Sequence, residues 1–512
     1  MKDYKFRILY TSDVHGSLIP DNFSTMSKDQ KGLSRLKTYI ETINNDYLLL
    51  DNGDILQGSP LMNYWLANET HSITPTSQVM NHLGYHYSTL GNHDFNYGKR
   101  ILDKYIKESN QEFLCCNVFY KNEYYCKPYA IKTLENGIKI GIIGAVTQAV
   151  PNWEKPNNIT HFKFLDAFES IKAIVNEIRD KIDCLIVLYH GGIERDIKTG
   201  VPLGRKSSEN EGYKIANELP IDILLTGHQH NETEGVINNT LVLQTTHSAY
   251  NFGEINITFE NVNNQWNIKD KTGNIIKMNY ESDILTEKML EKLVDDTNKY
   301  LDQILVTTDG ESLLIDNPFE ARLNNHPLFK IVNEAQKWIS GVSISAASLP
   351  NHIPGLKHLI SMRDLESTFV YPNTLFVIEV TGKTLKMALE KAACYFALKD
   401  GIIVVDPLFV HPKVEHYNYD IYSGIDYIID ISLPPFNRLV SATYQGETIN
   451  DNQFYQVVLN NYRAIGGGDY LMYRDQKIIK EINMTTAEIV IEYFKNHPHL
   501  LIEKENNPTI KH

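Results

Sequence analysis

Five short clusters in the first 230 residues carry side chains able to hold metal ions: Asp13-Val14-His15, Gly53-Asp54, Gly91-Asn92-His93-Asp94, Tyr189-His190-Gly191-Gly192 and Gly227-His228-Gln229-His230. Carboxylate, amide oxygen and neutral imidazole together suit manganese, zinc or iron. Each part alone has an ordinary explanation. Asp commonly caps a helix, Gly-Asp forms turns, and most single histidines are satisfied surface or core residues. Gly-His-x-His and Gly-Asn-His-Asp are more specific, and five such clusters in one order make a metal site a better account than coincidence. Read as extended backbone, the alternation in Asp13-x-His15 and His228-x-His230 puts both side chains of each pair on one side.

The elements that must position these residues are visible just upstream of most of them. Apolar runs at 6–10, 47–50, 138–143, 184–189 and 221–225 have strand length, and amphipathic stretches separate them. All but one are followed within a few residues by Asp, Asn or His. Open α/β sheets bind ligands beyond the carboxyl ends of their strands, so the site is expected at one sheet edge.

With 512 residues the chain is too long for one hydrophobic core. Forty-nine Lys+Arg against 63 Asp+Glu give a net charge of −14, which repels a nucleic-acid polymer but not a small phosphorylated ligand. No apolar run reaches the roughly 20 residues of a membrane-spanning helix. The start, Met1-Lys2-Asp3-Tyr4-Lys5, lacks a signal-peptide core. The expected location is cytoplasmic, or periplasmic or extracellular if a native leader has been removed. Five cysteines (Cys115, Cys116, Cys126, Cys184, Cys394) with no paired CxxC units read as reduced packing thiols.

Apolar residues recur at helical spacing over 282–305, predicting one long helix between two domains or within one of them. A second helix is expected over 382–396 and strands over 427–431 and 454–459, so the second half reads as a separate α+β unit.

The ordered set D-x-H, G-D, G-N-H-D, H-G-G and G-H-x-H resembles the calcineurin-like metallophosphoesterases. Leu50-Asp51-Asn52-Gly53-Asp54-Ile55-Leu56-Gln57-Gly58-Ser59-Pro60 and Gly91-Asn92-His93-Asp94-Phe95-Asn96-Tyr97-Gly98 narrow the resemblance to the 5′-nucleotidase superfamily. In the second half, Tyr371-Pro372-Asn373-Thr374-Leu375, Tyr417-Asn418-Tyr419-Asp420, Asp426-Tyr427-x-Ile429-Asp430 and Asn460-Asn461-Tyr462-Arg463-Ala464-Ile465-Gly466-Gly467-Gly468 are similar to the bacterial 2′,3′-cyclic-nucleotide 2′-phosphodiesterase/3′-nucleotidase branch. The resemblance implies a four-layer α/β/β/α metallophosphoesterase domain over 1–281, a linker helix over 282–310, and a smaller α+β 5′-nucleotidase-type C-terminal domain over 311–505.

It further implies two divalent ions, Mn, Zn, Fe or Co: one on Asp13, His15, Asp54 and His230, the other on Asp54, Asn92, His190 and His228. Asp54 would bridge them, and in-line attack of a metal-bound hydroxide would hydrolyse 2′,3′-cyclic nucleotides and 3′-nucleotides. His93 would face the phosphoryl oxygens and leaving group, with Asp94 as an orienting residue and Asn92 also facing substrate. Typical 5′-nucleotidases carry Asp three positions after this histidine. Here Asn96 stands there, as the phosphodiesterase branch tends to have, and it can hold the ring by a hydrogen bond without adding a charge. Tyr417 and Tyr462 would sandwich the nucleobase, with Tyr419 and Tyr422 as alternatives to the first. Arg363 and Arg463 read as exposed structural residues or phosphate contacts.

The expected partner is therefore a small nucleotide, with no nucleic-acid polymer and no membrane, and protein partners are left open. Two alternatives remain: a 5′-nucleotidase or UDP-sugar hydrolase with the same metals, and a catalytically silent nucleotide-binding protein.

Overall fold

Each of the five strand-sized runs forms a strand, and the strands assemble into two six-stranded sheets. The structure, a computed structural model, describes residues 3–512 except 69–70, 153, 204–208, 352, 370–372, 411–413, 483 and 504–506. Tyr371 and Pro372 of the second-half motif, and Met1-Lys2 at the start, lie outside the described residues. The chain divides into two compact units, Met1–Thr297 and Asn298–His512.

In the first unit the sheet strands are β1 (Tyr4–Thr11), β2 (Tyr47–Asp51), β3 (Tyr87–Ser88), β4 (Glu112–Phe113), β5 (Tyr129–Thr133), β6 (Lys139–Val146), β7 (Cys184–His190), β8 (Ile223–Thr226), β9 (Thr233–Ile237), β10 (Thr240–Gln244), β11 (Asn251–Val262) and β12 (Gln265–Lys277). One sheet runs β12-β11-β1-β2-β3-β4, with β1 to β4 parallel. The other runs β9-β10-β8-β7-β6-β5, parallel from β6 to β10 with antiparallel strands at both edges.

The sheets pack face to face. Ile8, Tyr10, Leu48 and Leu50 of the first interdigitate with Ile140, Ile142, Ile186, Leu188 and Leu225 of the second. Alternation along the same strands sends Ile143, Leu185, Val187 and Leu224 to the opposite face. There they meet Phe168, Ile171, Ile174, Val175 and Ile178 of helix Ala167–Ile178. Leu9 and Leu49, on the outer face of the first sheet, are also fully buried. Every residue of β7 is buried, as expected for a central parallel strand covered on both faces. The first unit is therefore a mixed α/β domain of helix, sheet, sheet and helix layers.

The second unit is smaller and α+β. Its five-stranded sheet takes the order Ile421–Ser423, Ile344–Ala347, Phe454–Asn460, Leu375–Thr381, Lys477–Ile482, and helix Pro327–Ser340 packs on it. Helix Gly382–Ala393 and strand Asp426–Asp430 occupy the expected places.

The long helix is shorter than its periodicity suggests. It runs Ile284–Leu301, begins where Asp283 accepts from the Thr286 backbone N–H at 2.8 Å, and contains the boundary between the units. Ile304 and Leu305 instead begin strand Ile304–Gly310, which pairs with Leu359–Ser361 and His499–Ile502. Partner strands decide the conformation there, over a helical spacing that the sequence carries through.

Candidate metal centre

The site lies at the carboxyl ends of β1, β2, β7 and β8, where Asp13 and His15, Asp54, His190, and His228 and His230 follow or end their strands. Two triads of donor atoms form: Asp13, His15 and His230, and Asp54, His190 and His228. They adjoin, with His190 Nε2 3.2 Å from Asp54 Oδ2 and 4.0 Å from Asp13 Oδ1. Asn92 Oδ1 sits 3.1 Å from His190 Nε2 and 2.8 Å from His228 Nδ1. Asp13, Asp54 and His190 are buried; His230 is the most open, its side chain 40% exposed.

The backbone that aims these groups is not the extended chain that the alternation suggested. Asp13, His15, Asp54, His228 and His230 all have positive φ, between 50° and 71°. Residues with a Cβ rarely adopt this left-handed region, and its clustering at one site marks conformations that the surroundings impose. Asp13 N–H bonds to Gly53 O at 3.0 Å, and His15 N–H to Asp54 O at 2.9 Å, so the turns after β1 and β2 run side by side. His228 and His230, two residues apart, serve different triads.

Two glycines are required by contact. A Cβ on Gly91 would lie 2.2 Å from Asp54 Oδ1, and one on Gly227 would lie 2.1 Å from Ser12 Oγ and 2.5 Å from Asp13 Oδ2. Both carboxylates are thus wrapped by backbone that only glycine allows.

Three of the four imidazoles are fixed from behind. His15 Nδ1 donates to Gln57 O at 3.0 Å, and His190 Nδ1 donates to Asn52 O at 2.6 Å, leaving Nε2 of each toward the centre. His228 is turned the other way, with Nε2 2.9 Å from Glu209 Oε1 and Nδ1 inward. Such supports set tautomer and orientation of ligating histidines. Sequence spacing gave no sign of the roles of Gln57, Asn52 or Glu209, because two act through backbone carbonyls and the third sits in a polar loop.

Electrostatics match a cation site. Burial alone would raise the Asp13 carboxyl, but His190 and His230 outweigh it and hold it at about 2. Asp54 is likewise held well below the carboxylate range, by His190 and His93 against its own burial. Burial pulls His15 down to about 4, keeping a lone pair available. Burial also opposes charge on His190, yet Asp54 and Asp13 raise it to about 10. His15 Nε2 and His230 Nε2 face each other at 3.0 Å with Asp13 beside them, a convergence that a divalent ion satisfies. The donor set fits two divalent transition-metal ions.

His93 is placed beside this centre. Its ring centroid is 5.5 Å from that of His15, and its backbone N–H donates to Asp54 Oδ1 at 2.7 Å. Its Nδ1 lies 2.8 Å from Asn96 Oδ1. Asp94 belongs to neither triad. Its oxygens accept from the backbone N–H groups of Asp54, Ile55, Leu56 and Gly91.

In the second unit, the Tyr417 and Tyr462 rings are neighbours with centroids 6.5 Å apart, tilted by 67°. A parallel sandwich around a base needs one ring to turn. Tyr462 is 38% exposed, whereas Tyr419 and Tyr422 are buried and offer no face for stacking. Arg463 is buried rather than exposed. It grips Asp420 through two bonds of 2.8 and 3.0 Å and also donates to Tyr417 O and Gly467 O. Arg363 is buried as well, on Asp302 and Asn298.

Residues 6–232 match the calcineurin-like phosphoesterase family and residues 305–475 the 5′-nucleotidase C-terminal domain family. A crystal structure from Staphylococcus aureus, provisionally described as a 5′-nucleotidase, is 30% identical with a TM-score of 0.84, covering 99% of this chain and all of that one. The 2′,3′-cyclic-nucleotide 2′-phosphodiesterase/3′-nucleotidase of Haemophilus influenzae is 26% identical over 96% of this chain and 85% of its own length. The trifunctional nucleotide phosphoesterase protein YfkN of Bacillus subtilis is 27% identical over 98% of this chain, which spans only 38% of that protein. No described helix is long and apolar enough to cross a membrane. The chain belongs to the calcineurin-like phosphoesterases that carry a 5′-nucleotidase C-terminal domain.

Proposed function

We propose that the chain is a metal-dependent phosphoric ester hydrolase that opens 2′,3′-cyclic nucleotides to 3′-nucleotides and then releases phosphate. The observation that carries this reading is the pair of adjoining triads, with Asn92 between His190 and His228. Two divalent ions bound there would acidify a water and neutralise phosphoryl oxygens for in-line displacement. In the ligand assignment that the reading uses, Asp54 serves both ions. His93, whose ring lies 5.5 Å from that of His15, would steady the phosphoryl oxygens and pass a proton to the departing ribose oxygen, O2′ in the first step and O3′ in the second. In each step water's oxygen joins phosphorus as the ester P–O bond breaks. Tyr417 and Tyr462 would hold the base by stacking, which accepts any base.

The relatives named as cyclic-nucleotide phosphodiesterases support this substrate class, as does Asn96 in place of Asp. A 5′-nucleotidase reading is favoured by the description of the Staphylococcus aureus protein. Manganese-loaded protein assayed in parallel on 2′,3′-cyclic AMP, 3′-AMP, 5′-AMP and UDP-glucose separates them. Turnover of the first two is expected, and turnover confined to the last two overturns the substrate assignment.

A further inference from the structure

We propose that Glu154 is a positioning residue that sets the tautomer of His93 through the side-chain amide of Asn96. The inference rests on the proposed role of His93 and deepens it. Glu154 is 8% exposed and stands 58 positions from Asn96, in a loop that none of the metal motifs includes. Its Oε2 accepts from Asn96 Nδ2 at 2.6 Å. Its Oε1 accepts from the Lys155 backbone N–H at 2.7 Å and from Asn158 Nδ2 at 2.8 Å. Asn158 Nδ2 also donates to Asn96 O at 2.6 Å, which pins the turn that carries Asn96.

The chemistry of the amide does the rest. An ionised carboxylate only accepts hydrogen bonds. Asn96 must therefore turn its NH2 toward Glu154, and this leaves its oxygen on His93 Nδ1, 2.8 Å away. An amide oxygen only accepts, so Nδ1 carries the proton and Nε2 is left for the phosphoryl group or the leaving oxygen. Asp in place of Asn96 would fix the same tautomer unaided. Asn alone is ambiguous, since either end of the amide can face the ring, and Glu154 removes the ambiguity.

Substitutions on the two sides of this contact should each do harm alone and compensate each other together. In Glu154→Gln, the two donors on Oε1 hold the new oxygen on their side, so the new NH2 faces Asn96. The Asn96 amide must then reverse and present NH2 to Nδ1, which forces the proton to Nε2. In Asn96→Asp alone, two carboxylates meet at 2.6 Å, which like charges oppose. Together, the Gln NH2 donates to the new carboxylate, which again accepts from Nδ1–H.

The test uses manganese-loaded full-length protein and bis(4-nitrophenyl) phosphate, a phosphodiester without a base, so that it does not depend on the nucleotide. Each single variant is expected to lose about tenfold or more in kcat with KM little changed, as for residues that orient a functional group. The double variant is expected to return to within about threefold of the parent. Losses that multiply in the double variant overturn the inference, because a loop anchor would give that result. Thermal unfolding of all three separates a folding defect from a kinetic one, and a double variant that is stable but no faster than the singles also counts against the coupling. His93→Ala run alongside distinguishes the underlying reading: if it keeps the full rate, the role of His93 falls and the inference with it. If it is impaired while the double variant is not rescued, only the inference falls.

Discussion

Asp94 holds Asp54 by its backbone: Asp94 Oδ2 accepts from the Asp54 N–H at 3.0 Å, while Oδ1 takes the N–H groups of Ile55 and Leu56 at 3.0 and 3.2 Å. Gly91 N–H adds a fourth bond, at 2.8 Å. The last residue of Gly91-Asn92-His93-Asp94 thus fixes the turn that presents Asp54, and with it His93, whose N–H is bonded to Asp54 Oδ1.

Asp94→Ala strips the acceptor from four N–H groups around a buried turn. Leaving buried donors without partners costs about 1–3 kcal/mol each where water cannot replace the acceptor. The expected outcome is a loss of at least ~3 kcal/mol in stability by urea unfolding, with lower manganese content in the folded fraction. Asp94→Asn keeps acceptors on one side only and should fall between the variant and the parent.

Metal removal tests the triads directly. Ions that bind only the folded chain stabilise it by mass action. Dialysis against EDTA should lower Tm by several degrees and abolish turnover, and manganese should restore both. Asp54→Asn should bind fewer than two ions per chain by elemental analysis and lose at least about 100-fold in kcat, the scale of removing a group that stabilises transition-state charge. Asp54→Asn protein that retains two ions and the parent rate would defeat the assignment of Asp54.

Asp51, three residues upstream, supplies a pH signature. Burial pushes its carboxyl up to about 8, against bonds from the Gly53 N–H and Thr11 Oγ1. The folded state therefore keeps a proton that the unfolded chain releases near its ordinary pKa of 3.8. The stabilisation is fully present below that value, and is lost as pH rises to about 8. Asp51→Asn imitates the neutral acid at every pH. The difference in Tm between the Asp51→Asn variant and the parent, measured in EDTA, should move in favour of the variant as pH goes from 4 to 8 and then level off.

The nucleobase reading separates binding from chemistry. Stacking on an aromatic face contributes about 1–3 kcal/mol per base. Tyr462→Ala should therefore raise KM for 3′-AMP roughly tenfold, while kcat/KM for bis(4-nitrophenyl) phosphate stays within about twofold. Tyr462→Phe should behave as the parent on both. Equal losses on the two substrates would mean that Tyr462 serves folding instead.

The ligands are legible in the sequence because metal chemistry restricts residue type and glycine marks where backbone must pass close to a carboxylate, as Gly91 does at Asp54. The strands are legible because β7 and its neighbours are buried on both faces and so read as unbroken apolar runs. The left-handed backbone at Asp13 and His15 is not, since Asp and His enter that region more often than most residues but still seldom, and here the neighbouring turn imposes it. Glu154 and Glu209 are invisible for a different reason. Each acts on a residue that is remote in sequence, and a lone Glu in a polar loop is ordinarily a solvated side chain. The end of the long helix at Leu301 was hidden by apolar spacing that continues through Ile304 into a strand.

Arg463 links the second-unit motifs in a way that gives the last prediction. Its guanidinium reaches Asp420, Asn418, Tyr417 O and Gly467 O from inside the domain, so it holds the segment bearing Tyr417 against the one bearing Tyr462. Asp420 is 2% exposed, and burial raises its carboxyl despite Arg463, so the pair depends on mutual contact. Removing one partner of a buried ion pair costs about 3–5 kcal/mol, because the other charge is stranded. Arg463→Met should lose that much stability, and Arg463→Met with Asp420→Asn should recover part of it, because no buried carboxylate is then left without its cation. Lys cannot reproduce two parallel bonds to a carboxylate. Arg463→Lys should thus fold but raise KM for 3′-AMP by loosening both tyrosines, with kcat on bis(4-nitrophenyl) phosphate unchanged. A uniform fall on both substrates would show that the arginine supports the whole protein, and not the aromatic pair.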